Sequence, residues 1–204
     1  MMTDRPKPAV VDDIDVCRLH DEALAEWYGA TSPSAAEPDD LPSRLRAEHF
    51  CNFTLWNLED EARRVDVDDA VIATIKRSID RWNQRRSDLI EQIDDALLAR
   101  LPTAGATAEQ HSETAGQIID RLSILALKIW HMGRHATRTD DPALARECAG
   151  KLVVLQTQRE DLARCLAGLL NDFRHGRRFF KIYRQFKTYN DPRLNPALAR
   201  RREP

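Results

Sequence analysis

Apolar residues return every three to four positions over most of this chain and nowhere alternate over the length of a strand. That regularity commits the backbone to helix. Only 7 of the 204 residues are glycine, so few positions interrupt the pattern. The spacing predicts a first helix over about 11–28, from Val10, Ile14, Cys17, Leu24 and Trp27. The stretch GATSPSAAEPDDLP then reads as a loop. Ser43 is the expected cap of a second helix, about 44–65. Asp66 and Asp69 open a third that runs to about Arg100, before Pro102. Thr114 and Gln117 form a T-x-x-Q capping box for a fourth, about 115–138. Asp141 followed by Pro142 starts a fifth, which Gly176 ends. A sixth is expected over about 177–188, giving way at YNDP.

The expected fold is all-α: an antiparallel bundle of four long helices, with an N-terminal helix and a short basic-aromatic C-terminal helix. A chain of this length can bury one core, so residues 10–198 read as a single domain between disordered ends, 1–9 and 199–204. The longest apolar run, SILALKIW, is broken by Lys128 and is far shorter than the roughly 20 residues a bilayer crossing needs. Prolines and acids occupy the N-terminus where a secretory signal would carry an apolar run, so a cytoplasmic protein is expected. Cys17, Cys51, Cys148 and Cys165 show no C-x-x-C spacing, and neither disulfides nor zinc are expected.

Two helices carry an arginine inside an otherwise apolar line. Arg86 interrupts Ile72, Ile75, Ile79, Trp82, Ile90, Ile93 and Leu97, and Arg159 sits amid Cys148, Leu152, Leu155, Leu162, Leu166, Leu169 and Phe173. A guanidinium cannot shed its proton, so each must meet an anion or reach water. Glu59, Asp60, Asp80, Glu91 and Asp94 are the internal candidates. On the second helix a line of Leu45, His49, Asn52, Trp56, Glu59 and Arg63 places polar groups beside large apolar ones. Arg121 and Lys128 border the most apolar helix, the fourth. Two readings stand: an anionic small molecule held by His49, Asn52, Glu59, Asn83, Arg86, Arg121, Lys128 and Arg159, or a closed ion-pair network that fixes helix register. A solvent-connected pocket would mark the first, a fully paired interior the second.

The C-terminal stretch sharpens the same question. Residues 174–204 hold ten Lys and Arg against two Asp and Glu, a balance of +8 in a chain of net charge −2, which leaves −10 for the rest. As a helix, 177–188 places Phe179, Phe180, Ile182, Tyr183 and Phe186 on one side. Arg177, Arg178, Lys181, Arg184 and Lys187 occupy the other, a basic surface for an anion, for the acidic body or for a partner. Nucleic acid is not the expected partner, because single-strand grooves set aromatics and cations on the same side.

No nucleophile elbow, phosphate loop or dinucleotide fingerprint is present, so the residues single out no reaction. His131 and His135 lie one helical turn apart; a surface or network role is expected for them rather than metal binding. Glu59–Asp60 followed by Glu91 and Asp94 is similar to the magnesium-binding helices of MazG-type nucleotide pyrophosphohydrolases, except that Arg63 stands where that pattern has an acid. No metal and no cofactor is expected.

Four stretches, NFTLWNLEDEAR, KRSIDRWNQRRSDLIEQID, SETAGQIIDRLSILALKIWHM and FKIYRQFKTYNDPRLNP, occur in order over residues 10–198 and resemble a bacterial family catalogued as a domain of unknown function. Ala115 departs from that pattern, which has proline at the helix start. The resemblance implies no established activity. Members are often encoded beside glycosyltransferases of cell-surface polysaccharide or lipopolysaccharide assembly, which implies a glycosyltransferase or related protein as partner. The expectation is an accessory, partner-binding protein acting as a homodimer. Its alternative is an enzyme or binding module for a phosphorylated small molecule such as a nucleotide or sugar nucleotide.

Overall fold

The computed structural model of this chain describes residues 10–11, 14–102, 104–185, 188 and 191–196. The expected disorder of 1–9 and 199–204, and the roles given to Phe186 and Lys187, fall outside the described residues.

The chain is mostly helical, and each helix begins where a short polar side chain can accept its first free N–H groups. A small antiparallel ribbon, β1 (Val10–Val11) with β2 (Ile14–Asp15), leads into α1 (Val16–Gly29). The first helix therefore starts later than the periodicity suggests. Asp15 accepts from the Arg18 N–H and caps it, while β-branched Val11 pairs with Ile14 in the ribbon. Asp40, rather than Ser43, caps α2 (Leu41–Glu61), and Ser43 answers from three residues on in a reciprocal box. Asp68 caps α3 (Asp69–Leu98), leaving Asp66 to pair with Arg64. After a short strand, β3 (Glu109–Gln110), the expected Thr114/Gln117 box opens α4 (Ala115–Ala136). Asp141 caps α5 (Pro142–Arg174), with Pro142 in its first turn.

Over the described residues 177–185 the expected sixth helix does not form. Gly176, at φ 63°, turns the chain at the end of α5, and the residues that follow run extended as β4 (Arg178–Phe179), parallel to β3. Glu109 N–H donates to the Arg177 carbonyl (3.0 Å) and His111 N–H to that of Phe179 (2.8 Å). Extended backbone sorts this stretch with a period of two. Phe180 is buried against Phe173, Ile182 leans on the same core, and Lys181 and Tyr183 face out.

α4 packs along α5 and α2 along α3, and α4 also touches α1, α2 and α3. The larger core joins Leu45, Ile93, Leu97, Ile119, Leu122, Leu166, Leu170 and Phe173. A second, aromatic one holds Leu24, Trp27, Phe53 and Leu127. Where α3 meets α4 the backbones nearly touch at Gly116, whose N–H donates to the buried Asp94 carboxylate at 2.7 Å. The four cysteines are free, and no described helix is long and apolar enough to cross a membrane.

Candidate functional site

α2 enters the interior with a polar step that no other helix matches. Glu48, His49 and Asn52, within one turn or so, are buried where α1, α3 and α4 converge on them. His49 Nε2 lies 3.2 Å from the His20 carbonyl of α1, an acceptor only, so Nε2 carries the proton. Its Nδ1 then accepts from the Ser123 hydroxyl of α4 at 2.7 Å. Asn52 Nδ2 reaches Glu48 Oε1 (2.7 Å), Asp120 Oδ1 (2.9 Å) and Ser123 Oγ (2.9 Å), while its Oδ1 accepts from Arg86 Nη1 of α3 at 3.2 Å. Arg86 Nε is 3.7 Å from Asp120 Oδ1. One amide thus ties three helices together.

An amide nitrogen has two hydrogens, and here three acceptors surround it. The surroundings of Glu48, one of the three, favour its protonated form. This residue is 0% exposed, and burial, then the Asp120 carboxylate beside it, push its carboxyl well above the usual range; Arg86 and the Asn52 amide pull less strongly the other way. Burial favours the neutral form of both imidazoles: His49 is lowered to about 3, and His20, its ring tilted against that of His49 at 4.3 Å between centroids, falls well below its ordinary value. Neither ring nitrogen of His20 has a hydrogen-bond partner among the described residues.

Ser123, His49 and a carbonyl behind it make the order of groups that activates a hydroxyl nucleophile. Both side chains are nevertheless completely buried, so no substrate reaches them. Chemically the cluster ties α2 to α1, α3 and α4 and fixes their register.

The interior arginines find partners that the sequence did not single out. Arg86, 28% exposed, meets Asn52 and Asp120, and Arg159, 12% exposed, meets Asp21 (2.9 Å) and the Cys17 carbonyl (2.6 Å) of α1. None of Glu59, Asp60, Asp80, Glu91 and Asp94 serves either of them among the described contacts. A wheel drawn for α5 alone carries nothing about the contact of Arg159 with α1, which is a tertiary fact. Arg159 lies close enough to His20 and His49 for its charge to oppose their protonation, so the two arginines border one cluster from separate sides without sharing a ligand.

The other candidates disperse. Arg121 is exposed and paired with Glu113 (2.9 Å), Lys128 is exposed, and Glu59 holds Arg63 at the surface. Asn83 is half-buried, its carbonyl accepting from Ser87. In the C-terminal stretch Arg177 and Arg178 pair with Asp172, and Lys181 lies over the Phe179 ring. Arg184 is clamped between Glu91 and Asp95 on α3. The basic stretch has folded back on the acidic body. Lys187 lies outside the described residues.

Beside the cluster, α2 and α4 leave a groove of about 390 Å³ lined by Asn52, Leu55, Trp56, Glu59, Asp60, Arg63, Ile124 and Leu127. Trp56 stacks on His131 at 4.5 Å, and His131 Nε2 shares a 2.6 Å hydrogen bond with the Tyr28 hydroxyl. His131 is thereby a member of an aromatic network. No group of three or more His, Cys, Asp or Glu side chains among the described residues is arranged to hold a metal: Glu91 serves Arg184, and Asp94 caps α4.

Four cluster members, His20, Glu48, Asp120 and Ser123, escaped the sequence reading. Asp120 and Ser123, three apart on the most apolar helix, were the available signal. No curated protein and no solved structure matches the chain. A family model does match, over residues 43–182, which takes in Glu48, Asn52, Arg86, Asp120, Ser123 and Arg159. The chain belongs to the family described as protein of unknown function (DUF4254).

Proposed function

We propose that this chain is a cytoplasmic accessory protein of bacterial cell-surface polysaccharide or lipopolysaccharide synthesis, which works by binding a protein partner, a glycosyltransferase or a related enzyme. Its helices form an antiparallel bundle, and the working unit is a homodimer. The observation that carries this reading is the internal commitment of the cations: Arg86, Arg121, Arg159 and Arg184 each hold an acid or carbonyl of the same chain. An anionic ligand would have to displace a seated partner in each case, so recognition passes to the outer surface.

The test has two arms. Thermal unfolding is followed with inorganic phosphate, nucleotides and sugar nucleotides; a ligand at a hundredfold its dissociation constant would stabilise the fold by about 2.7 kcal/mol, and no shift is expected. A purified glycosyltransferase of cell-surface polysaccharide synthesis from the same organism is then mixed with the chain, and co-elution is expected. A panel-specific shift without co-elution would overturn the reading.

A second reading is favoured by the groove between α2 and α4. Its volume falls within the range of small-molecule sites, and Glu59, Asp60 and Arg63 offer hydrogen bonds beside the apolar Leu55, Ile124 and Leu127. In that reading the groove binds a nucleotide or sugar nucleotide. A thermal shift abolished by Trp56→Ala and Arg63→Ala, with folding intact, would establish it.

A further inference from the structure

α5 is amphipathic toward α4, but its outer side is not uniformly polar. Val153 is 61% and Val154 56% exposed midway along this helix, where no residue between Cys148 and Ala163 is fully buried. Two helix-weakening glycines, Gly150 and Gly168, share that outer side, and an added Cβ would meet nothing within 4 Å at either. The protomer itself gives no steric reason for them.

The outward residues Glu147, Gly150, Val154, Thr157, Asp161 and Arg164 recur at alternating intervals of three and four, the repeat that lets one helix lie along another. All six are exposed. They are also related by a two-fold operation about the point between Leu155 and Gln156. Antiparallel apposition of two copies sets Val154 against Thr157, Gly150 against Asp161, and Glu147 against Arg164. The central pair sets a valine against a threonine whose hydroxyl is engaged with the Val153 carbonyl of its own helix, the glycine leaves room for the facing carboxylate, and the outer pair is of opposite charge. Within the protomer Glu147 and Arg164 hold only solvent-exposed neighbours on their own helix, Lys151 and Asp161, and stay open to a second partner.

The geometry points to the outer face of α5 as a two-fold interface with a second copy of this chain, centred on Val154 and Thr157 and closed at both ends by Glu147–Arg164 pairs. It rests on the homodimer reading and names the surface. The occupant follows from charge complementarity: the face is self-complementary under a two-fold axis, which an unrelated partner has no reason to match.

Sedimentation equilibrium of the full chain tests it, with circular dichroism as the control for the fold. Wild type is expected to be a dimer at micromolar concentration. Val154→Glu is expected to be a monomer with an unchanged circular dichroism spectrum, its unfolding midpoint no longer dependent on protein concentration. Glu147→Arg and Arg164→Glu each oppose like charges across both ends and should weaken the dimer about tenfold or more, and the double variant should restore it. A dimer indifferent to all four variants would overturn this surface while leaving the homodimer standing. A wild type that stays monomeric would overturn both.

Discussion

The Nδ1 atom of His49 on α2 lies 2.7 Å from the Ser123 hydroxyl on α4, with both side chains fully buried. The carbonyl of His20 fixes the tautomer and so makes the serine the donor. The pair is a seam between two helices rather than a reactive centre, because water and substrate are both kept from it.

Ser123→Ala should therefore cost stability. It strands the Nδ1 acceptor of His49 and removes one acceptor from Asn52, a loss of about 1–3 kcal/mol for buried polar groups left unpaired. Urea unfolding should show a lower midpoint with the same slope.

Glu48 makes stability depend on pH in a definite direction. Its folded pKa lies above the unfolded one, so the folded state holds an extra proton between the two values. Stability from this group is then full below the unfolded value and falls as pH rises toward the folded one. Glu48→Gln keeps the uncharged shape. The stability of wild type minus that of the variant, measured by urea unfolding across pH, should decline with rising pH; a flat difference would remove the stored proton.

Asp94 adds a smaller effect of the same sign. Burial raises it to about 6, against favourable bonds from Thr114 and the Gly116 N–H. Between the ordinary carboxylate range and about 6 the wild type should lose on the order of 2–3 kcal/mol relative to Asp94→Asn, which keeps an acceptor for Gly116. The same pH series reads it.

Gly116 is needed for the close approach of α4 to α3. A Cβ there would lie 2.8 Å from the Ile90 carbonyl oxygen and 2.9 Å from Asp94 Oδ1, and the first of these is backbone that cannot swing aside. Gly116→Ala should destabilise by about 1–3 kcal/mol despite its better helix propensity. An unchanged or raised unfolding midpoint would contradict this packing.

Arg184 holds the extended C-terminal stretch onto α3 through Glu91 and Asp95. Arg184→Ala should speed hydrogen exchange at the His111 amide, which donates to Phe179, more than at amides in the middle of α4. Added salt should narrow the difference between variant and wild type, since the clamp is solvent-exposed.

How much of this could be read beforehand follows from the range of the interactions. Thr114 with Gln117, and Asp141 with Pro142, act within one turn, so the openings of α4 and α5 were legible. His49, Asn52, Arg86 and Arg159 were legible as polar residues at apolar positions. Their partners were not, because a wheel drawn for one helix carries nothing about which helix faces it; Arg159 meets Asp21 across 138 positions of sequence. The strand at Arg178 escaped because the short run Phe180 to Tyr183, with Phe180 and Ile182 turned in and Lys181 and Tyr183 out, also fits one turn of an amphipathic helix. What tipped it was the free edge of Glu109–Gln110.

The most direct test of the closed interior is ¹⁵N NMR of the imidazole nitrogens of His20 and His49, followed from about pH 4 to about pH 8. Both rings should stay neutral throughout, with His49 unprotonated at Nδ1 and protonated at Nε2. Titration of either ring near its ordinary value of 6.5 would show that solvent reaches the cluster, and the interior would then be an open cavity available to a ligand.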